Sequence, residues 1–186
     1  ARNQRLADGN HFYNDKNHVP LKAILGGYSD HLQPMVLLLL NTGMRRGELF
    51  NLTWKDVDLT AKQITVVGNT SKSGHTRYIP LNHEAAHVLR TWKAQTQRDS
   101  GHVFVGKHGK KVVNISKSWS VLLKKADVQD CRLHDLRHHF ASRLVTAGVD
   151  LNTVRELLGH SNIKMTLRYA HLSPAHLSDA VAVLNR

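Results

Sequence analysis

Apolar positions along the chain fall into short runs whose period changes from helical to strand-like and back. Residues 34–41 form an apolar helical run stopped at Gly43, and a second helical stretch covers roughly residues 45–52. Upstream, residues 19–25 predict a short helix broken by Gly26-Gly27. Residues 63–67 and 77–79 are β-branched runs joined by the turn-rich Gly68-Asn69-Thr70-Ser71-Lys72-Ser73-Gly74, which predicts a β-hairpin with Lys72 at its tip. Asn82 suits the N-cap of a helix with Ala85, Val88, Leu89 and Trp92 on one face. Residues 102–105 and 111–113, joined through Gly106 and Gly109, predict a second small hairpin. From residue 116 onward the pattern is helical: 118–126, 134–145 ended by Gly148, 151–158 between Asp150 and Gly159, and 162–170 capped by Ser161. A last helix starts at Ser173 with Pro174 in its first turn and carries the stripe Leu177, Ala180, Val181 and Leu184. The expected fold class is mainly α with small β-hairpins (α+β). Residues 1–19, polar and poorly periodic, read as a linker or N-terminal edge, and residues 20–186 as one domain.

Composition narrows the class. The 186 residues are 41% hydrophobic and 22% charged, which is a folded and not a disordered balance. The longest strongly apolar run, Met35 to Leu40, is too short to span a membrane, and no signal-peptide pattern opens the chain. The single cysteine, Cys131, excludes an internal disulfide framework and a multi-cysteine zinc site, and fits a reducing compartment. Lys plus Arg exceeds Asp plus Glu by 26 to 14, for a net charge of +12 and a pI of about 10.1. That excess favours a polyanionic partner, nucleic acid ahead of an acidic membrane.

Four segments carry candidate chemistry. In Thr42-Gly43-Met44-Arg45-Arg46-Gly47-Glu48-Leu49 a glycine break sets two arginines at a helix start, where free backbone N–H groups also favour an anion. Glu48 follows Arg45 by three residues and can hold its guanidinium. Taken alone, the segment reads as a solvated helix start and Lys72 as a surface lysine. His134-Asp135-Leu136-Arg137-His138-His139 puts His134 and Arg137 on one helical face while Leu136 and Phe140 anchor the other, a density of cations able to grip a phosphate. The last segment runs from Leu157-Leu158-Gly159-His160-Ser161-Asn162 into Thr166-Leu167-Arg168-Tyr169-Ala170-His171. Tyr169 is there either a core side chain or a nucleophile, and with an ordinary pKa near ~10 it needs help to ionise. A rival reading takes His134-Asp135-x-x-His138 as a zinc-hydrolase helix with His160 or His171 as third ligand. Asp135 is one methylene short for that role, and Arg137 would oppose the cation.

Together these segments resemble the tyrosine recombinases, the phage-integrase family of site-specific DNA recombinases. The resemblance covers about residues 35–171 and rests on Thr-Gly-x-Arg, the hairpin lysine, His-x-x-Arg, Leu-Gly-His and a tyrosine nine residues beyond that histidine. It implies the DNA breaking–rejoining enzyme fold. It also implies a catalytic set: Arg45, Lys72 (placed by the following Arg77-Tyr78-Ile79-Pro80-Leu81), His134, Arg137, His160 and the nucleophile Tyr169, with Glu48 in support. The implied reaction is attack of Tyr169 on a phosphodiester of duplex DNA, giving a 3′-phosphotyrosine and a free 5′-hydroxyl. Arg45, Arg137 and His160 would stabilise the phosphorus-centred charge, His134 would accept or shuttle the tyrosine proton, and Lys72 would protonate the leaving oxygen. Arg46, Lys55, Lys107, Lys110, Lys111 and Arg132 would meet flanking phosphates.

No metal and no cofactor is called for. The implied partners are double-stranded DNA and further copies of the chain: a monomer when free, a tetrameric synapse on DNA, with no membrane. The setting would be a bacterial or phage-type cytoplasm, associated with the nucleoid, and the outcome DNA integration or excision. The helical DNA-clamping domain that usually precedes such a domain is missing, so the chain looks like the catalytic domain alone. A type IB topoisomerase shares the tyrosine chemistry, but Leu158-Gly159-His160 favours the recombinase, and the intact set of six residues disfavours a silent DNA-binding module.

Overall fold

The fold is organised around one helix that is apolar on every side. In the computed structural model, which describes residues 30–68, 76–106, 109–173 and 184, helix α1 (Leu32–Thr42) is buried over most of its length. A helix hydrophobic all round belongs in a core, and α1 packs against both α3 (His83–Thr96) and α5 (Asp135–Thr146). It ends at Gly43, whose φ of 61° is left-handed and whose N–H donates to the Leu39 carbonyl at 3.0 Å. Arg45 is then extended and serves as N-cap of the short α2 (Arg46–Asn51), so the predicted second helix starts one residue late.

A one-turn 3₁₀ helix (Trp54–Asp56) leads into a three-stranded antiparallel sheet of order β1-β2-β3: β1 (Val57–Asp58), β2 (Gln63–Val66) and β3 (Arg77–Pro80). The predicted hairpin is therefore present, with an extra two-residue strand on its outer side. Ile64 pairs with Ile79, and both are fully buried. The two-residue side-chain period of β3 then turns Arg77 to the same inner face as Ile79. The tip, residues 69–75 with Lys72, lies outside the described residues.

The second hairpin is reduced to one antiparallel bridge, Val105 to Lys111, with Gly106 N–H donating to the Lys110 carbonyl at 2.8 Å and Val112 N–H to the Phe104 carbonyl at 3.5 Å. The rest of its first run pairs elsewhere, His102 bridging to Thr53. Val103 N–H donates to the Leu52 carbonyl at 2.9 Å, and its own carbonyl accepts from the Trp92 indole at 2.8 Å.

The caps of α3 and α6 (Leu151–Leu158) are those expected: Asn82 Oδ1 accepts from Ala85 N–H, and Asp150 Oδ1 accepts from the N–H groups of Asn152 and Thr153. Between α3 and α5, α4 (Ser116–Lys125) buries Trp119, whose indole donates to the Cys131 carbonyl. The helix expected over 162–170 is instead a pair of 3₁₀ helices, Ile163–Met165 and Leu167–Leu172, and Asn162, not Ser161, supplies the cap. The sequence explains the difference. Ile163, Met165 and Leu167 alternate, so no α-helical turn can bury all three, and all remain exposed. Thr166 and Tyr169, three apart, turn inward at the 3₁₀ period. The helices expected over 19–25 and after Ser173 lie outside the described residues.

Two apolar clusters result. The larger gathers α1, α3, the sheet and α4; the smaller joins Ala141 and Val145 of α5 to Val154 and Leu158 of α6 and to Tyr169. Helix α5 contributes Leu136 to the first and so ties the two together.

Candidate active site

Three arginines from distant parts of the chain meet at the C-terminal end of α6. The last turn of a helix leaves carbonyls without intrahelical partners and carries the negative end of the helix dipole. Here those carbonyls take guanidinium donors. Arg77 Nε donates to Leu157 O at 3.2 Å, Arg137 Nη2 to Leu158 O at 2.6 Å and Arg45 Nη2 to Gly159 O at 2.8 Å. Arg137 is further fixed by Nη1 to the Gly43 carbonyl at 2.7 Å. Both glycines of the sequence motifs thus present carbonyls to the site. Gly159 is left-handed at φ 64°, and a Cβ there would lie 2.8 Å from Arg77 Cδ. A Cβ on Gly43 would lie 2.4 Å from the Phe140 ring.

One carboxylate organises the cluster. Glu48, buried, accepts both Arg77 guanidinium nitrogens at 2.9 and 2.7 Å, Arg45 Nη1 at 2.8 Å and Arg45 N–H at 2.8 Å. Burial alone would raise its carboxyl pKa, but the Arg77 fork and the Arg45 donors outweigh that and hold it at about 2. Against this single carboxylate stand three guanidiniums, an excess of two positive charges within the group. Arg137 is buried, and both of its hydrogen bonds are to neutral carbonyls. Burial, and then the neighbouring Arg45, lower its pKa to about 9, which leaves it cationic at neutral pH. A buried cation whose hydrogen bonds go to neutral carbonyls favours an anion nearby.

The imidazoles complete the surface. His160, following Gly159, is buried with Nδ1 against the Thr166 hydroxyl at 2.8 Å. Burial first, then Arg137 and Arg45, push its pKa down to about 4, so it is neutral at physiological pH. In the tautomer whose Nδ1 accepts from the Thr166 hydroxyl, Nε2 carries the hydrogen and is a neutral donor. His134 is the N-cap residue of α5 and stands exposed at the rim, its pKa lowered by partial desolvation and then by Arg137, with Asp135 opposing. Its ring meets that of His138 edge-on, with centroids 5.0 Å apart.

Tyr169 is 6% exposed and rests in the smaller core cluster. Burial raises its pKa, against the pull of Arg168 and Arg137. Its hydroxyl lies 2.5 Å from His138 Nδ1, so the contact expected of His134 is made by the residue one turn further along α5.

Of the residues read from sequence, Arg45, Arg137 and His160 come together at the end of α6, with Glu48 beneath them. Tyr169 joins them through α5, and His134 lies beside His138. Arg45, Arg46, Arg132 and His134 also line a cavity of about 680 Å³ with Asn114, Ser116 and the α4 face. Arg132 is paired with Asp135 at 3.0 Å. Lys55, Lys110 and Lys111 are exposed and do not line that cavity, and Lys111 Nζ donates to Asn51. Lys72 and Lys107 lie outside the described residues. Sequence reasoning missed Arg77 as a member of the cluster; the signal was its place in β3 on the same face as two core residues. It also weighed His138 only as a metal ligand. Among the described residues no three His, Cys, Asp or Glu side chains stand close enough together to hold a metal ion, so the zinc-hydrolase reading finds no ligand set there.

Comparison with known proteins agrees with this arrangement. A family model described as the phage integrase family matches residues 19–176. The integrase of Salmonella phage P22 is 35% identical over 171 residues, covering 85% of this chain and 43% of that protein. Tyrosine recombinase XerC of Xanthomonas campestris is 37% identical over 171 residues, covering 86% of this chain and 49% of the relative. The chain thus spans about half the length of these relatives. Among solved structures, a complex of the Tn1549 transposon integrase with transposon right end DNA superposes with a TM-score of 0.71 at 26% identity, covering 89% of this chain and 62% of that one. The catalytic domain of bacteriophage HP1 integrase superposes with a TM-score of 0.61 at 27% identity, covering 97% and 89%.

Proposed function

Since the chain belongs to the phage integrase family, we propose that it is the catalytic domain of a tyrosine-type site-specific recombinase that cleaves and rejoins duplex DNA. The observation that carries the reading is the carbonyl-anchored pair of half-buried Arg45 and buried Arg137, part of a cluster with more cations than carboxylates, together with a tyrosine hydroxyl in contact with an imidazole. The anion is the scissile phosphate. Tyr169 attacks phosphorus, the P–O5′ bond breaks, and the ester energy is stored in a 3′-phosphotyrosine. Attack by a 5′-hydroxyl then reverses the step, on the same strand or on a partner strand.

Arg45 and Arg137 bind the non-bridging oxygens through charge-assisted hydrogen bonds, and His160 adds a neutral donor through Nε2. Because both guanidiniums are fixed by helix-end carbonyls, they meet the developing charge without reorganising. His134, at the rim, is placed to shuttle protons between the site and solvent. Lys72, in the segment that joins β2 to β3, protonates the leaving 5′-oxygen. Arg46 and Arg132, which share the cavity beside the site, meet phosphates next to the scissile one. Exchange between two duplexes calls for several copies on DNA, a tetrameric synapse assembled from monomers, as part of the same proposal.

The experiment uses a pool of nicked duplexes with a randomised core, so that the leaving strand diffuses away and covalent complexes accumulate. The wild-type chain is expected to give a denaturant-resistant DNA adduct. Tyr169→Phe is expected to bind the same duplexes and give none. An adduct that survives Tyr169→Phe removes the nucleophile assignment.

A further inference from the structure

We propose that His138, and not His134, is the residue that takes the proton from the Tyr169 hydroxyl as it attacks phosphorus. The proposal rests on the recombinase reading and adds to it the identity of the base. Its ground is contact. His138 Nδ1 is 2.5 Å from the hydroxyl and the two rings are tilted at 49°, with centroids 6.0 Å apart, whereas His134 meets the His138 ring edge-on, with centroids 5.0 Å apart. For Nδ1 to accept from the phenol, His138 must be the neutral Nε2–H tautomer. Its surroundings favour neutrality. The ring is partly buried, and it faces His134, Asp135 and Arg137 on its own helix, Arg168 and Tyr169 on the last 3₁₀ helix, and His160 beyond α6. Burial first, then His134 and Arg168, hold its pKa at about 4.

An imidazole that reluctant to protonate is a weak base for a phenol whose own pKa is raised. The free protein therefore holds its nucleophile hydrogen-bonded and un-ionised. A phosphate arriving between Arg45 and Arg137 brings the negative charge that offsets the cations facing His138, and the basicity of Nδ1 rises as the substrate binds. The step balances. The O–H bond of Tyr169 breaks as the Oη–P bond forms, the proton passes to Nδ1 to give an imidazolium, and the P–O5′ bond breaks with protonation of the 5′-oxygen by Lys72. On reversal, the 5′-hydroxyl gives its proton to the Lys72 amine as its oxygen attacks phosphorus, and the departing Tyr169 oxygen recovers the proton from the His138 imidazolium.

Three variants of the full chain, His138→Gln, His138→Ala and His134→Gln, are compared with wild type on the randomised nicked duplexes in single-turnover adduct formation. Folding is checked by thermal melts and DNA retention by gel shift. His138→Gln keeps a hydrogen-bond partner but cannot accept a proton; it is expected to slow adduct formation by about 100-fold or more at neutral pH. Its rate should climb steadily with pH as the phenol ionises unaided, while the wild-type rate levels off across neutral pH. Added imidazole should restore part of the His138→Ala rate. His134→Gln removes the shuttle and is expected to lower the rate, but its rate should not climb with pH as that of His138→Gln does. A slow His138→Gln with a wild-type pH profile and no imidazole rescue of His138→Ala would make the residue structural and end the proposal. So would transfer of the altered profile to His134→Gln. Wild-type protein that forms no adduct would instead defeat the recombinase reading itself, an outcome distinct from wild-type and variants reacting alike.

Discussion

Glu48 shows how one side chain can set a site it never exposes. It joins two arginines that are 32 residues apart in sequence, Arg45 and Arg77, and its carboxylate stays ionised because their donors overcome the cost of burial. The sequence reveals half of this. The three-residue spacing makes the Arg45 pair visible, but Arg77 reaches Glu48 across 29 residues and Leu157 across 80, through strand placement that no local period encodes. His138 and Tyr169, 31 residues apart, are hidden for the same reason. Linkage gives Glu48 a testable signature. Its pKa falls from 4.5 to about 2 on folding, so its contribution is complete above about pH 4.5 and is lost as pH falls toward 2. The difference corresponds to roughly 3 kcal/mol. Glu48→Gln should lose stability on that order at pH 7 and show a flatter decline between pH 4.5 and 2 in urea unfolding. It should also slow adduct formation, because Arg45 loses its fixed position. Parallel wild-type and variant declines over that window would place the acid sensitivity elsewhere.

Elements meet at this site through their ends, and the glycines at those ends are where local sequence and tertiary packing agree. The Thr-Gly and Leu-Gly motifs are legible as helix stops, and α1, α3 and α6 end or begin where caps predict. The segment after Gly159 is less legible. A helical reading of 162–170 fails because Thr166 and Tyr169 are pulled inward by His160 and His138, contacts that override the helical repeat. The second hairpin is cut to a single bridge, Val105 to Lys111, because the rest of its first run pairs with the segment around Leu52 and with Trp92. Three alanine substitutions separate these effects. Gly43→Ala meets left-handed backbone and the Phe140 ring at 2.4 Å, and Gly159→Ala meets left-handed backbone and Arg77 at 2.8 Å. Each should cost about 1–3 kcal/mol, and Gly159→Ala should also reduce adduct formation by displacing Arg77 from Glu48. Gly47 sits inside α2 with nothing within 4 Å of where a methyl group would stand, so Gly47→Ala should be neutral or stabilising by about 0.5–1 kcal/mol. Thermal melts decide the order; a neutral Gly43→Ala would mean that the close approach of α1 to α5 does not constrain that position.

At the scale of the whole molecule, the proposed mechanism gives charge two separable jobs. The net +12 is plain from composition and points to a polyanion, but composition does not say which cations bind and which act. The fold makes that division. Arg45, Arg77 and Arg137 are drawn inward and fixed by carbonyls and Glu48, while Lys55, Lys110, Lys111 and Arg132 remain on the surface. Surface cations that meet phosphates release condensed counterions, so binding to duplex DNA should weaken steeply with salt, by about 0.9 logarithmic units per decade for each phosphate neutralised. Exposed lysines exchanged for glutamine should each shallow that slope by about one phosphate equivalent and leave the cleavage step in preformed complexes unchanged. The buried arginines should behave in the opposite way. Arg137→Lys keeps the charge but cannot hold the Gly43 and Leu158 carbonyls while also presenting a fork to phosphate, so it should leave the salt slope nearly intact and reduce adduct formation by about a hundredfold, the loss typical of one oxyanion donor. Filter binding across a salt series, paired with single-turnover cleavage at saturating protein, separates the two classes. If Arg137→Lys changed the salt slope as much as a surface lysine and cleaved at the wild-type rate, its guanidinium would be one more phosphate contact, and the division between binding and acting cations would fall.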